Sequence, residues 1–309
     1  MPGIHHVTAI AGDPAKNFNF YTRDLGLRFV KKTVNFDDPS TYHFYFGDAT
    51  GSPGTILTFF VWPKAVAGSR GGGEVHQTAF RVPVSSLDYW TKRLAERGVA
   101  CQAMETRFSE RILPFSDPDG MRLMLVGVVG AESEPAWNND DIPQEHAIRG
   151  FHGATLVLDS TEKTGAILTD VLGFREVGRE GTLIRFAASG ESKGCLIDLQ
   201  EKKGIARGHQ GLGSVHHIAF RAVNDAEQAV MVGKLISGHQ RHPTEQKDRN
   251  YFRSIYFREP GGVLFEIATD IPGFAVDESV ETLGRNLKLP SFLEARRSEI
   301  ERVLPALEA

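Results

Sequence analysis

Gly3-Ile4-His5-His6-Val7-Thr8, near the start of the chain, has a diverged copy at Gly150-Phe151-His152-Gly153-Ala154-Thr155. Each copy leads into a helix-like segment and then into a Leu-Gly pair, Leu25-Gly26 in the first case and Leu172-Gly173 in the second. The distance from the first His of each copy to the Gly of its pair is the same. Because similarity at a fixed spacing is the sequence signature of a repeated structural unit, the two halves of the chain are predicted to share one fold.

A second pair of segments divides each half again. Val75-His76-Gln77-Thr78-Ala79-Phe80-Arg81 resembles Val215-His216-His217-Ile218-Ala219-Phe220-Arg221. The turn Asp117-Pro118-Asp119-Gly120 likewise corresponds to Glu259-Pro260-Gly261-Gly262, and a short apolar run that is typical of a strand follows each turn. The sequence therefore predicts four units, at about 4–63, 73–128, 150–200 and 213–270.

Each unit opens with strand-like sequence, continues through a helix and closes with more strand-like sequence. The helices are expected to begin at Asp13-Pro14, Ser86, Ser160 and Asn224, because Asp, Ser and Asn cap helix N-termini and Pro suits the first turn. Aromatic and β-branched residues dominate the strand-like segments, as in Thr41-Tyr42-His43-Phe44-Tyr45-Phe46. The predicted fold class is α+β, with four tandem βαβββ units arranged as two domains.

The predicted domain limits follow from these units. They are an N-terminal domain at 1–130, a polar linker at 131–149, a C-terminal domain at 150–270 and a tail at 271–309. The tail is expected to contain one helix that begins at Pro290-Ser291 and has four apolar residues near helical spacing, Phe292, Leu293, Ile300 and Leu304.

Composition restricts the classes of function. The chain has 309 residues, 41% of them hydrophobic and 24% charged, and a net charge of -4 without a basic run. This excludes a surface for nucleic acid or anionic membranes and favours a small molecule as the partner. No secretory signal and no apolar run of transmembrane length is found, so a cytoplasmic location is expected. Cys101 and Cys195 lack the spacing of a disulfide framework or a thiolate metal site.

Comparison of the copies indicates a metal site. A residue needed for packing should be similar in all units, whereas a catalytic residue should stand out in particular ones. Three residues that can bind a metal stand out in the first and fourth units, and the corresponding residues elsewhere cannot replace them: His6 against Gly153, His217 against Gln77, and Glu266 against Met124. Three ligands make one site, so the first and fourth units must lie together.

Glu266 supports this interpretation. It lies between Phe265 and Ile267, and an unpaired carboxylate pointing into such surroundings would cost several kcal/mol of desolvation, which a cation would remove. The alternative is that strand alternation directs Glu266 to solvent. Two imidazoles and one carboxylate are typical of non-haem Fe(II) oxygenases, and zinc with a bound water is the next candidate.

Another set of histidines behaves differently. His5, His76, His152 and His216 recur at the equivalent position of every unit. Their recurrence favours a structural role, or contact with a ligand residue, over direct binding of a metal.

The sequence as a whole resembles the vicinal oxygen chelate superfamily, and within it the hydroquinone-type ring-cleaving dioxygenases of the glyoxalase and extradiol dioxygenase group. The resemblance extends over nearly the whole chain. It rests on these segments: 3–8, 215–217, Glu266, the linker from Trp137 to Gly153, and the tail from Leu289-Pro290 through Arg296, Ile300 and Leu304-Pro305.

The resemblance implies a function and a set of residues. It implies Fe(II), or Mn(II), bound by His6, His217 and Glu266, and oxidative opening of a dihydroxylated aromatic of the hydroquinone or catechol type with O2. It also implies residues that contact substrate or ligands at positions that match His5, Thr8, His216, Arg249 and Tyr256. A homo-oligomer is left open.

Two other functions compete with this one. A glyoxalase-type metal-dependent lyase or isomerase would normally need a fourth protein ligand, and no second carboxylate stands at a matching position. A non-catalytic protein that binds a small molecule or confers resistance would use the same fold without an open metal. Loops such as the segment from Trp62 to Gly73 are expected to shape the substrate pocket.

Overall fold

The computed structural model describes residues 2–190 and 193–307. The strands are β1 (Ile4–Ala11), β2 (Arg28–Asn35), β3 (Asp38–Gly47), β4 (Ile56–Val61), β5 (Glu74–Pro83), β6 (Glu105–Arg107), β7 (Glu110–Ser116), β8 (Arg122–Val128), β9 (Phe151–Leu158), β10 (Phe174–Glu180), β11 (Leu183–Ala188), β12 (Leu196–Glu201), β13 (Val215–Ala222), β14 (Lys247–Asp248), β15 (Arg253–Arg258) and β16 (Leu264–Thr269). The helices are α1 (Pro14–Asn19), α2 (Leu87–Glu96), α3 (Glu162–Asp170), α4 (Asp225–His239), α5 (Ser291–Glu294) and α6 (Arg297–Val303). Each of the four predicted units has the order strand, helix, three strands, and the predicted fold class is confirmed.

The strands form two eight-stranded sheets. Their orders are β14-β15-β16-β13-β1-β4-β3-β2 and β10-β11-β12-β9-β5-β8-β7-β6. In each sheet two units join through their opening strands, β1 antiparallel to β13 and β5 antiparallel to β9. One sheet therefore combines the first and fourth units, and the other combines the second and third.

The pairing of strands joins units from the two predicted domains. Each sheet takes one unit from either side of the linker, so the first and fourth units lie together as the three-ligand site requires. The division into domains at 1–130 and 150–270, with a linker at 131–149 and a tail at 271–309, stays a prediction.

Helix starts follow the capping pattern closely but not everywhere. The Asp13 side chain accepts a hydrogen bond from the Lys16 backbone N–H at 2.9 Å, and Asn224 accepts one from the Glu227 N–H at 3.1 Å. Thr161 rather than Ser160 precedes α3, and the Ser86 hydroxyl donates to the Glu145 carbonyl instead of capping α2. Tertiary contact thus replaces local capping at the second unit.

The tail differs from the prediction. It forms two short helices, α5 and α6, in place of one, and Phe292 is 65% exposed while Leu293 and Ile300 are buried. Upstream of these helices the tail runs along β2, where the backbone N–H of Lys288 donates to the carbonyl of Lys32 at 2.9 Å. The tail therefore covers the edge strand of the sheet that contains the predicted metal ligands.

A buried lysine of that sheet forms ion pairs with the tail. Lys31 on β2 is fully buried, and its Nζ lies 2.6 Å from both the Asp277 and the Glu278 carboxylates. Asp277 also accepts a hydrogen bond from the Tyr251 hydroxyl at 3.0 Å, so the same contact reaches the loop before β15.

None of the helices within residues 2–190 and 193–307 is long and apolar enough to cross a membrane.

Candidate metal centre

Three adjacent strands carry the predicted ligands. His6 lies on β1, His217 on β13 and Glu266 on β16. His6 is opposite Ala219 in the β1–β13 pair, and Ala219 is opposite Glu266 in the β13–β16 pair. The register brings the three side chains to one place in the middle of the sheet, although they are far apart in the sequence.

The three ligand atoms form a nearly regular triangle. His6 Nε2 lies 3.3 Å from His217 Nε2 and 3.3 Å from Glu266 Oε2, and His217 Nε2 lies 2.9 Å from Glu266 Oε2. Bonds of about 2.1 Å from one metal to three ligands at right angles would separate the ligand atoms by about 3.0 Å. The donor atoms therefore have the chemistry and the spacing of a divalent metal site.

Burial makes the negative charge of the Glu266 carboxylate unfavourable unless a cation lies beside it. Glu266 is fully buried, and its Oε2 accepts no hydrogen bond of good geometry from the described residues. Burial raises the pKa of Glu266, but the neighbouring His6 and His217 outweigh burial and hold the pKa well below its usual range. Burial lowers the pKa of His217. An ionised carboxylate facing a neutral imidazole is the protonation state that binds a metal. Glu266 does not point to solvent, so that alternative is wrong.

Neighbouring side chains orient the ligands. His5 Nδ1 lies 2.9 Å from His6 Nδ1, and His216 Nδ1 lies 2.8 Å from His217 Nδ1. When the ligand histidine donates its Nδ1–H to this neighbour, its Nε2 is unprotonated and free to bind a metal at the centre. Burial, with a contribution from His217, lowers the pKa of His216 to about 3, which suits a neutral partner.

The carboxylate ligand is oriented in the same way. The Ser254 hydroxyl donates to Glu266 Oε1, so the other oxygen of the carboxylate is left for the centre.

The recurring histidines have different partners in the other units. His76 lies 3.2 Å from the Glu74 carboxylate, and His152 lies 3.1 Å from the Glu110 carboxylate. A histidine at this position is therefore common to all units, but it contacts a ligand residue only in the first and fourth.

A small pocket opens beside the triangle. Its cavity volume is about 30 Å³, which is room for about one water molecule. Its walls include His6, His217 and three aromatic rings, Phe36, Phe60 and Phe252. The aromatic walls suit contact with the faces of an aromatic ring.

Arg249 and Tyr256 form one polar wall. Arg249 Nε donates to the Tyr256 hydroxyl at 3.2 Å, and Arg249 Nη2 donates to Asp37 Oδ2 at 3.0 Å. Burial and the charge of Glu266 raise the pKa of the Tyr256 phenol, which stays protonated at neutral pH. Burial acts to lower the pKa of Arg249, but Tyr256 and Asp37 outweigh burial and hold this pKa above the ordinary value. The wall thus presents a fixed cation and a phenolic donor.

His43 and Tyr45 form another polar wall, which the sequence analysis did not single out. His43 Nε2 lies 2.9 Å from Thr58 Oγ1, and the Tyr45 hydroxyl lies 3.0 Å from His43 Nδ1. Thr8 lies behind this wall, fully buried, with its Oγ1 2.8 Å from Thr58 Oγ1. Strand alternation places His43 and Tyr45 on one face of β3, but only the sheet order β1-β4-β3 shows that this face borders the pocket.

The mouth of the pocket differs from the expected one. The turn between β2 and β3 supplies Asn35, Phe36 and Asp37, and the loop before β15 supplies Arg249 and Phe252. The segment from Trp62 to Gly73 does not line the pocket. The prediction for that segment was wrong because the segment pairs instead with the chain before β13, through the bridges Ala67–Leu212, Ser69–His209 and Gly72–Arg207.

Both halves of the chain match one known protein family. The family model described as "Glyoxalase/Bleomycin resistance protein/Dioxygenase superfamily" matches residues 3–125 and 150–267. The chain is 46% identical over 306 residues to the "Putative ring-cleaving dioxygenase MhqO" of Bacillus subtilis, with 99% of this chain and 96% of that protein covered. It is 33% identical over 311 residues to the "Chlorohydroquinone/hydroquinone 1,2-dioxygenase" of Sphingobium indicum, with 98% and 96% covered.

A solved structure agrees over the same length. The crystal structure of a "putative dioxygenase" from Bacillus subtilis superposes with a TM-score of 0.94 at 45% identity, covering 99% of this chain and 97% of that one. These relatives confirm the resemblance noted in the sequence. With both halves matched and relatives that span nearly all of it, the chain belongs to the Glyoxalase/Bleomycin resistance protein/Dioxygenase superfamily.

Proposed function

We propose that the chain is a ring-cleaving dioxygenase that opens a dihydroxylated aromatic, of the hydroquinone or catechol type, with O2. In this proposal Fe(II), or alternatively Mn(II), is held by His6, His217 and Glu266. The observation that carries the proposal is the buried triangle of their ligand atoms beside a pocket with aromatic walls. The names of the full-length relatives support the same activity.

The donor set suits this chemistry. Two imidazoles and one carboxylate leave coordination positions open, and a redox-active divalent metal, when bound, supplies the path for electrons from the ring to O2. In the described residues, no fourth histidine, cysteine or carboxylate joins the group. This favours a dioxygenase over a glyoxalase-type lyase, which would normally have a fourth protein ligand.

The chain's own residues would bind and orient the substrate. Phe36, Phe60 and Phe252 exclude water and pack against the ring, which strengthens the electrostatic interactions inside the pocket. The Arg249 guanidinium is fixed by two hydrogen bonds and can stabilise negative charge on a substrate oxygen. The Tyr256 hydroxyl, which Arg249 holds from one side, can donate its proton to such an oxygen and take it back.

His5 and His216 have a different role in this proposal. Each contacts the Nδ1 atom of a ligand histidine and therefore orients that ligand. We assign them to positioning of His6 and His217 rather than to contact with substrate. Thr8 is assigned to positioning as well, since it supports the wall of His43 through Thr58.

Oxygen uptake tests the proposed function. The protein is loaded anaerobically with Fe(II) and then given O2 with hydroquinone, catechol and their substituted forms. We expect consumption of one O2 per ring opened, followed in an oxygen electrode and by the ultraviolet spectrum. Conversion of a glutathione hemithioacetal with Ni(II) or Zn(II), without any oxygen uptake, would establish the lyase instead.

Tyr256→Phe tests the proton-transfer step. The substitution removes the hydroxyl that Arg249 holds, and we expect kcat to fall about 100-fold. Metal content should not change, because Tyr256 is not one of the three ligands. Steady-state kinetics together with metal analysis would measure both quantities.

Tyr42→Phe is the matched control for this variant. Tyr42 is a buried tyrosine on β3 that does not line the pocket. Its kcat should stay within about twofold of the unmodified protein. An equal loss of activity in both variants would show that the Tyr256 effect is not specific to the pocket.

A further inference from the structure

The second sheet contains a position that corresponds to the metal centre. Gln77 on β5 is opposite Thr155 on β9, just as His217 is opposite Thr8. Likewise Met124 is opposite Ala79, as Glu266 is opposite Ala219. The two sheets therefore have the same arrangement of strands around this point, but the second has lost the metal ligands.

An arginine reaches into that position. Arg107 precedes Pro114 by the same number of residues as Arg249 precedes Tyr256, and Pro114 pairs with Met124 as Tyr256 pairs with Glu266. Arg107 is thus the counterpart of Arg249.

The contacts of Arg107 differ from those of its counterpart. Its Nη1 lies 3.4 Å from Gln77 Oε1, 3.4 Å from Thr155 Oγ1 and 3.9 Å from Met124 Sδ. A fixed guanidinium therefore stands where, in the other sheet, the metal ligands converge.

A wide pocket opens at this guanidinium. It is open to solvent, has a cavity volume of about 320 Å³, and is lined by three cationic side chains, Arg107, Arg122 and Lys202, against one carboxylate, Glu105. Glu105 lies 3.2 Å from Arg107 Nη2 and is 51% exposed. The pocket therefore carries an excess of positive charge.

Two of these cations have no acidic partner among the described residues. Arg122 Nη1 contacts the ring nitrogens of His76, and in the part of the chain at 2–190 and 193–307 neither Arg122 nor Lys202 forms an ion pair with a carboxylate. A concave surface with uncompensated cations concentrates anions. The guanidinium groups have the planar geometry that binds a carboxylate through two hydrogen bonds.

We propose that this pocket binds a small organic carboxylate. The positive charge selects an anion, and the apolar side chains of Phe115 and Leu183 in the same wall favour one with a carbon body over an inorganic ion. The site uses none of the three predicted metal ligands. It can therefore be tested independently of the dioxygenase activity, and failure of either proposal leaves the other standing.

Calorimetric titration of the metal-loaded protein tests the proposal. The probes are benzoate and cis,cis-muconate, with inorganic phosphate as a third arm at constant ionic strength. We expect one equivalent of at least one organic anion to bind, and the double variant Arg122→Gln/Lys202→Gln to weaken it about tenfold. Lys203→Gln is the matched control because it removes one positive charge from the next residue, which lies outside the pocket. Its affinity should change less than about twofold.

A further variant should change the affinity in the opposite direction, which distinguishes an effect of charge from a folding defect in the double variant. Glu105→Gln removes the one carboxylate of the pocket and should tighten binding about threefold. Absence of binding by both organic anions, an unchanged affinity in either pocket variant, or phosphate binding as tight as the carboxylates would overturn the proposal.

Discussion

His217→Ala is expected to abolish metal binding and to reduce turnover by at least about 1,000-fold. The substitution removes one corner of a triangle whose three atoms lie within 4.8 Å of one another, and two ligands do not hold a divalent metal in such a site. It also leaves the buried Glu266 with one imidazole neighbour instead of two. Metal content after dialysis and oxygen uptake would be measured on the same sample.

Two further variants make this prediction specific. Glu266→Gln keeps the volume of the side chain but removes its charge, so it should lose the metal without leaving a cavity. His242→Ala removes an exposed histidine that belongs neither to the ligand group nor to the pocket lining, and it should keep both metal and activity. Full metal content and turnover in His217→Ala or Glu266→Gln would rule out the proposed ligand set.

Lys31→Met is expected to lower the free energy of unfolding by about 3–5 kcal/mol, because it leaves the buried carboxylate of Glu278 and the partly buried one of Asp277 without their cation. Glu278 is only 7% exposed, and the carboxylates of Asp277 and Glu278 both contact the Lys31 ammonium. The tail should also become sensitive to proteases around 277–288. Denaturant unfolding and limited proteolysis would measure the two effects.

The adjacent residue provides the control. Lys32→Met makes the same substitution one residue later, at a lysine without an ion pair among the described residues, and should change the free energy of unfolding by less than about 1 kcal/mol. Equal effects in the two variants would show that the buried ion pairs do not hold the tail.

The fold could be predicted from the sequence because the unit repeats. The correspondence between Gly3–Thr8 and 150–155, together with that between 75–81 and 215–221, indicates four units, and the turn signals at 117–120 and 259–262 indicate where the last strands of the second and fourth units begin. Helix starts were right where the cap is local, as at Asp13 and Asn224, and shifted by one residue at α3. Local chemistry determines these features, so local sequence reveals them.

The candidate ligands could also be found, for a different reason. His6, His217 and Glu266 were identified because the other units lack them, and the structure brings these three side chains together. Arg249 and Tyr256, in contrast, came from the family resemblance alone. An arginine in a loop and a tyrosine on a strand carry no signal of their own in one sequence.

What could not be predicted depends on contacts between distant segments. The wall of His43 and Tyr45 becomes visible only when β3 is placed beside β4 and β1. The ion pairs of Lys31 join residues separated by most of the chain. The position of Arg107 in the second sheet likewise depends on the register of β6 and β7, which the repeat alone does not specify.

The most direct test of the metal centre is a crystal structure of the Fe(II)-loaded protein with anomalous diffraction data at the iron edge. We predict one anomalous peak at about 2.0–2.2 Å from His6 Nε2, His217 Nε2 and Glu266 Oε2. A peak at other residues, or a fully loaded protein with no peak inside this triangle, would contradict the account.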